Sequence, residues 1–162
     1  MPLIRNGEIA RDEFAVVADD GALPDGPAIV SLDRFAKERG ALLARNTPLG
    51  VRLKSDQSPA ALGEDVSRLA LVMLEFPKFR DGRAFSWARM LRTRLGFTGE
   101  IRATGDFLYD QLAFMARVGI DAFELPDTIT PELFARALAE MRYVYQPAED
   151  GRKTIRDLRA GR

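Results

Sequence analysis

The stretch Leu69-Ala-Leu-Val-Met-Leu-Glu-Phe-Pro-Lys-Phe-Arg-Asp-Gly-Arg-Ala-Phe-Ser86 joins the most hydrophobic run of the chain to a highly charged turn. Residues 69–76 alternate too little for a half-exposed strand, so they predict a strand buried on both faces. From Ala84 the pattern changes to helical spacing, and Gly96 ends it. A buried strand that passes through a charged turn into a helix is typical of parallel α/β folds, whose ligands bind where strands end.

The same alternation of strand and helix continues along the rest of the chain. Strands are predicted at residues 50–54, 69–76, 100–103 and 121–125, and helices at 58–62, 84–95, 107–118 and from 130 onward. These four strand–helix units predict an α/β fold with a parallel sheet. The sheet is either half of a (β/α)₈ barrel or the core of an open doubly wound sheet, and the sequence leaves both open.

The first 48 residues differ from the rest of the chain. They contain short β-prone pieces between turns, and then a helix at residues 31–39 that we expect Gly40 to end. We therefore predict one domain over residues 1–148, with a β-rich lead-in (1–48), the repeated units (49–148) and a polar, loosely ordered tail (149–162). A half-barrel leaves a strand edge exposed, so either strands from the lead-in or a homodimer should cover it.

Two absences limit the chemistry, because the 162 residues include no cysteine and no histidine. Zinc and iron–sulfur sites built on thiolates or imidazoles, disulfides, and histidine-dependent nucleophilic catalysis are excluded. Proton transfer falls to Asp, Glu, Lys, Tyr or water. The chain has no Gly-x-Gly-x-x-Gly fingerprint, so no cofactor is identified, while a bound flavin or nicotinamide stays open.

Charge and hydropathy bear on location and partners. Lysine and arginine number 24 and acidic residues 24, so the formal net charge is zero and general nucleic-acid binding is not expected. No apolar run approaches the length of a membrane span, and the first residues lack the pattern of a signal peptide. The expectation is a cytoplasmic protein that does not bind membranes.

Four cations are expected at the carboxyl edge of the parallel sheet, and they form our candidate anion site: Lys54, Arg80, Arg83 and Arg102. Guanidinium forks beside helix N-termini suit phosphate, sulfate, sulfite or a carboxylate.

A structural interpretation of the same residues stays open beside it. In that interpretation Asp81 caps the helix and pairs with Arg83, while Arg102 pairs with Asp106 or Glu75.

Further polar residues could support such a site. No metal centre is predicted. Ser86 lies in the first turn of the helix after the charged loop. Asp106 should cap a helix that begins at Phe107, and Asp110 lies four residues further on, where the two carboxylates could hold Mg²⁺. Tyr109, one turn into that helix, could reach the edge of the sheet.

The run from Phe76 to Ser86, followed by Gly105-Asp106 and Asp110-Gln111, resembles a bacterial family of unknown function. Members of that family are described as oxidoreductases involved in sulfite reduction. The resemblance implies a role beside assimilatory sulfite reductase, but it supplies no catalytic residues. It is compatible with two functions: an accessory protein that binds sulfite reductase or a pathway anion, or an enzyme with a bound flavin or nicotinamide and Asp, Lys or Tyr acid–base groups. The accessory role is favoured, because helix capping and ion pairing already explain the groups of polar residues that could be catalytic.

Overall fold

The computed structural model describes residues 2–161, and its centre is one eight-stranded sheet. The strands are β1 (Leu3–Arg5), β2 (Glu8–Ala10), β3 (Ala15–Val16), β4 (Ala28–Ser31), β5 (Leu49–Leu53), β6 (Leu71–Phe76), β7 (Glu100–Gly105) and β8 (Ala122–Glu124). They lie in the order β2-β1-β8-β7-β6-β5-β4-β3.

The strand order decides between the two architectures that the sequence left open. From β3 to β8 every strand runs parallel to its neighbour, and the chain always moves one position in the same direction. Right-handed connections that never reverse direction put all the crossovers on one face of the sheet. The result is a curled half-barrel and not a doubly wound sheet. The sheet is mixed, however, because β1 runs antiparallel to both β8 and β2.

The helices alternate with the parallel strands. They are α1 (Leu32–Leu43), α2 (Arg83–Thr93), α3 (Leu112–Arg117), α4 (Pro131–Glu140) and α5 (Ile155–Ala160), with 3-10 segments at Pro59–Arg68 and Tyr109–Gln111. Helix α1 is kinked at Glu38, whose φ and ψ are not helical, and then resumes through Gly40, where the sequence predicted its end. The lead-in therefore contains a complete β4–α1 unit of the repeat. Over residues 2–161, none of the helices has the length and apolar character needed to cross a membrane.

Strands from the start of the chain extend the parallel sheet at both of its edges. Strands β1 and β2 extend it beyond β8, and β3 extends it beyond β4. At the other end of the chain, the tail that we expected to be loosely ordered contains α5. Thr154 and Asp157 form a capping box at its start, and Ile155 N–H donates to Val144 O at 2.8 Å. The capping box stabilises the start of α5, and the hydrogen bond to Val144 joins the tail to the segment after α4.

The two faces of the sheet are covered differently. One face packs against the helices in the main core, which includes Val51 on β5 and Ile101 on β7. The residues that alternate with these point to the other face, which we call the uncovered face. There the side chains of Ile29, Leu71 and Met73 are buried under Phe14. The prediction that residues 69–76 form a strand buried on both faces therefore holds for most of β6.

Candidate functional site

Two loops at the carboxyl edge of the sheet are joined through Arg83, the first residue of α2. Its Nε and Nη2 donate to Asp81 Oδ1 and Oδ2 at 2.9 and 2.7 Å, and Nη2 also donates to Ser55 Oγ at 2.9 Å. Trp87 Nε1 donates to Ser55 O at 2.9 Å, one turn further along the helix. The loop after β5 and the loop after β6 therefore form one hydrogen-bonded unit.

The carboxylate of Asp81 supplies the negative charge that pairs with Arg83 in this unit. It accepts the fork of Arg83 and, at 3.2 Å, the backbone N–H of the same residue at the start of α2. The hydrogen bonds from Arg83 and Ser55 hold the pKa of Asp81 well below its usual range. The hydrogen bond with Asp81 likewise raises the pKa of Arg83. This geometry matches the ion pair of the structural interpretation, but the N-cap of α2 is Gly82 and not Asp81, which that interpretation named as the cap.

Residues 77–80, which we call the 77–80 loop, are all exposed at this edge. The guanidinium of Arg80 lies over the ring of Phe79, with 5.4 Å between Cζ and the ring centroid, and that ring is 39% exposed. The backbone is held by a hydrogen bond from Asp81 N–H to Lys78 O at 2.9 Å and by one from Gln111 Nε2 to Phe79 O at 2.9 Å. The loop thus presents two cations and one aromatic ring on a fixed backbone.

Other residues named from the sequence are scattered along the edge. Lys54 is exposed directly after β5, and Ser86 is exposed in the first turn of α2. Tyr109 turns towards α4, where its hydroxyl donates to Glu140 Oε1 at 2.6 Å, and this hydrogen bond raises the pKa of the phenol. The structure does not bring these three side chains together into one site.

The helix expected from Phe107 begins later, and this changes the role of Asp106. A 3-10 turn starts at Tyr109 with Leu108 as its N-cap, and α3 starts at Leu112. The prediction that Asp106 caps a helix at Phe107 is therefore wrong. Asp106 and Asp110 are both exposed, and residues 2–161 contain no group of three or more carboxylates placed to hold a metal.

Arg102 does not lie with the other cations of the predicted site. It sits inside β7, three residues before the strand ends, and points to the uncovered face with no exposed surface. Nε donates to Glu100 Oε1 at 2.7 Å, and Nη1 donates to Asp12 Oδ2 at 2.9 Å and Glu124 Oε1 at 3.4 Å. Within the described residues Nη2 has no hydrogen-bond partner.

The environment of Arg102 differs from both sequence interpretations. Its ion-pair partners are neither Asp106 nor Glu75, the two that the structural interpretation named. Burial acts to lower its pKa, but the contacts with Glu100 and Asp12 outweigh burial and raise it. Arg102 is therefore a permanently charged group whose side chain is fully buried.

The uncovered face carries a row of polar contacts that was not predicted from the sequence. Arg52 Nη2 donates to Glu75 Oε1 at 2.7 Å, and Thr104 Oγ1 donates to Glu124 Oε2 at 2.6 Å. A signal for this row does exist in the sequence. Each of these residues stands on a strand at a position that alternates with apolar ones, as Arg52 does between Val51 and Leu53, and polar residues at every second position indicate one polar face.

A cavity of about 500 Å³ opens at one end of this row, where β3, β4 and β5 end. Its lining includes the Arg52–Glu75 ion pair and, from the loop after β3, Asp19. Lys54 lies at its rim, so this candidate residue belongs to the cavity as well as to the edge.

Comparison with known proteins places the chain in a family. The family model described as "Bacterial protein of unknown function (DUF934)" matches residues 50–156, which is more than half of the chain. The match covers β5 to β8 and both loops that Arg83 joins. A search of curated proteins returned no match. The chain is a member of this bacterial family, DUF934.

Proposed function

We propose that this protein is an accessory protein that docks on assimilatory sulfite reductase through the 77–80 loop. The observation that carries the proposal is the stacked pair of Phe79 and Arg80, which is exposed on a fixed backbone at the carboxyl edge of the sheet. The identity of the partner rests on the resemblance of residues 76–86, 105–106 and 110–111 to the family associated with sulfite reduction.

The chemistry of the loop suits a protein partner. Aromatic and arginine side chains contribute most of the binding free energy at many protein interfaces. Because hydrogen bonds to Lys78 O and Phe79 O already hold the backbone, little conformational entropy is lost when a partner docks. Lys78 and Arg80 give the loop two positive charges, so the complementary surface is acidic and binding weakens with salt.

The arrangement supports a macromolecular partner better than a small anion. Of the four cations expected to hold an anion, Arg83 is neutralised by Asp81, and Arg102 is buried on the uncovered face. Lys54 and Arg80 remain exposed on two neighbouring loops. An extended acidic surface can contact both loops at once, whereas a sulfite-sized anion can use no more than the two cations that remain of the four.

The test measures binding of the full chain to purified sulfite reductase at low and high salt. We expect measurable binding that weakens as salt rises, and at least a tenfold weaker Kd for the double variant Phe79→Ala/Arg80→Ala. The matched control is Arg142→Ala/Tyr143→Ala, because Arg142 also lies over an exposed aromatic ring, 5.6 Å from its centroid, but at another place on the surface.

Three results would overturn the proposal. One is the absence of binding by the parent protein at either salt concentration. Another is an equal loss in the loop variant and the control variant, which would indicate non-specific contacts. The third is a purified chain that carries flavin or nicotinamide absorbance and does not bind the reductase, which would support the enzyme alternative instead.

A further inference from the structure

The cavity on the uncovered face has the dimensions of a small-molecule site. Its volume of about 500 Å³ lies within the usual range for such sites, and it opens at the carboxyl ends of parallel strands, where α/β proteins bind ligands. Val16, which is 54% exposed, contributes apolar surface, while Ser31 and Arg52 contribute polar groups. A ligand that fits must therefore combine an apolar part with polar or charged groups.

Two charged residues in the lining differ from the rest in their ion pairing. Glu75 is paired with Arg52 at 2.7 Å, which neutralises both groups. Asp19 and Lys54, in contrast, form no salt bridge with any residue in the described range 2–161. Asp19 does accept a hydrogen bond from the hydroxyl of Ser31, at 2.5 Å from Oδ1. The cavity thus offers a ligand a cation at Lys54 and an anion at Asp19.

These two charges come from different loops in the lining of the cavity. Asp19 comes after β3 and Lys54 after β5, with β4 between them in the sheet. Within residues 2–161 the two side chains form no ion pair with each other, so a ligand in the cavity can contact both.

We propose that this cavity binds a small aliphatic α-amino acid. Lys54 holds the carboxylate of the ligand, Asp19 holds its ammonium group, and the side chain of the ligand packs on the exposed side chain of Val16. A ligand with a single charge would leave one of the two groups without a partner, so the arrangement selects for a zwitterion. The site shares no residue with the 77–80 loop. Lys54 also belongs to the surface that we propose contacts a protein partner, but binding of an amino acid does not require that docking function.

Titration calorimetry on the full chain tests the proposal with L-leucine, L-isoleucine and L-valine as probes. We expect millimolar or tighter binding of at least one of them. Two further probes each lack one charge of leucine: 4-methylpentanoate lacks the ammonium group, and isoamylamine lacks the carboxylate. Both should bind at least tenfold more weakly than leucine. If none of the three amino acids binds, or if the singly charged probes bind as well as leucine, the proposal is wrong.

Two substitutions assign each charge to its residue. In Asp19→Asn the preference for leucine over 4-methylpentanoate should disappear, and in Lys54→Met the preference for leucine over isoamylamine should disappear. Lys37→Met, which removes an exposed cation from α1, is the matched control and should keep both preferences. Because all three side chains are exposed, folding should be unaffected, and thermal melting checks this. Preferences that survive in Asp19→Asn and Lys54→Met would contradict the assignment.

Discussion

Arg102 Nε donates to Glu100 Oε1 at 2.7 Å within the same strand, and both side chains point to the face of the sheet that the helices leave uncovered. Arg5 approaches Glu100 from β1 at 2.6 Å, and Asp12 reaches Arg102 from the segment between β2 and β3. One buried guanidinium thus connects the centre of the parallel sheet with the N-terminal segment. The contacts cross about ninety positions of sequence.

We expect Arg102→Met to destabilise the protein by about 3–5 kcal/mol, because it leaves carboxylates without their buried counter-charge. Urea unfolding measures the loss. The matched control is Arg52→Met, which removes a single ion pair from a side chain that is 40% exposed and should cost about 1 kcal/mol or less. Equal losses in the two variants would contradict the special role of the buried arginine.

Local patterns in the sequence predicted the repeating units well. The predicted strand at 69–76 and the helix at 84–95 correspond to β6 (Leu71–Phe76) and α2 (Arg83–Thr93). Hydrophobic periodicity and turn residues act over a few positions, so one stretch of sequence is enough to show them. The helix predicted to end before Gly40 is interrupted at Glu38 but resumes to Leu43, for an energetic reason. A glycine inside a helix costs about 1 kcal/mol, but burying Leu42 beyond it contributes about 1.5–3 kcal/mol.

The candidate site was harder to predict, because its geometry depends on residues that are distant in sequence. Asp12 is 90 positions from Arg102, and no local pattern links the two. The choice between a half-barrel and a doubly wound sheet likewise depends on the order in which strands associate, which periodicity does not encode. The pairing of Asp81 with Arg83 was predictable, since only two positions separate them.

Gly105→Ala should destabilise the protein by about 3 kcal/mol. Gly105 has φ of +110°, and a Cβ there would lie 2.2 Å from the carbonyl oxygen of Phe76, the residue beside it in the sheet. The substitution combines an unfavourable backbone conformation with a clash against a strand that cannot move freely. Gly26→Ala is the control, because its Cβ would meet nothing within 4 Å. Chemical denaturation compares the two, and similar midpoints would refute the prediction.

The contribution of the Asp81–Arg83 ion pair to the free energy of unfolding should depend on pH. The pKa of Asp81 lies well below its usual 3.8 in the folded protein, so the folded state binds fewer protons than the unfolded state just below that pH. The stabilisation is present above about pH 4 and is lost as the pH falls towards the folded pKa. In Asp81→Asn the urea midpoint should therefore fall less steeply than in the parent between about pH 4 and pH 2. Identical slopes would show that the pair contributes nothing.

Phe14 covers the apolar part of the uncovered face, where Leu71 and Met73 are buried, and its ring lies 5.8 Å from the guanidinium of Arg102. Phe14→Ala should cost about 2–3 kcal/mol and speed up amide hydrogen exchange in β6 and β7, because water then reaches that face. Phe14→Leu keeps most of the apolar cover and should recover much of the loss. Ile9→Ala removes a side chain that is 71% exposed on β2, and it should change stability by no more than about 0.5 kcal/mol. An unchanged exchange rate in Phe14→Ala would mean that residues 11–14 do not cover the sheet in solution.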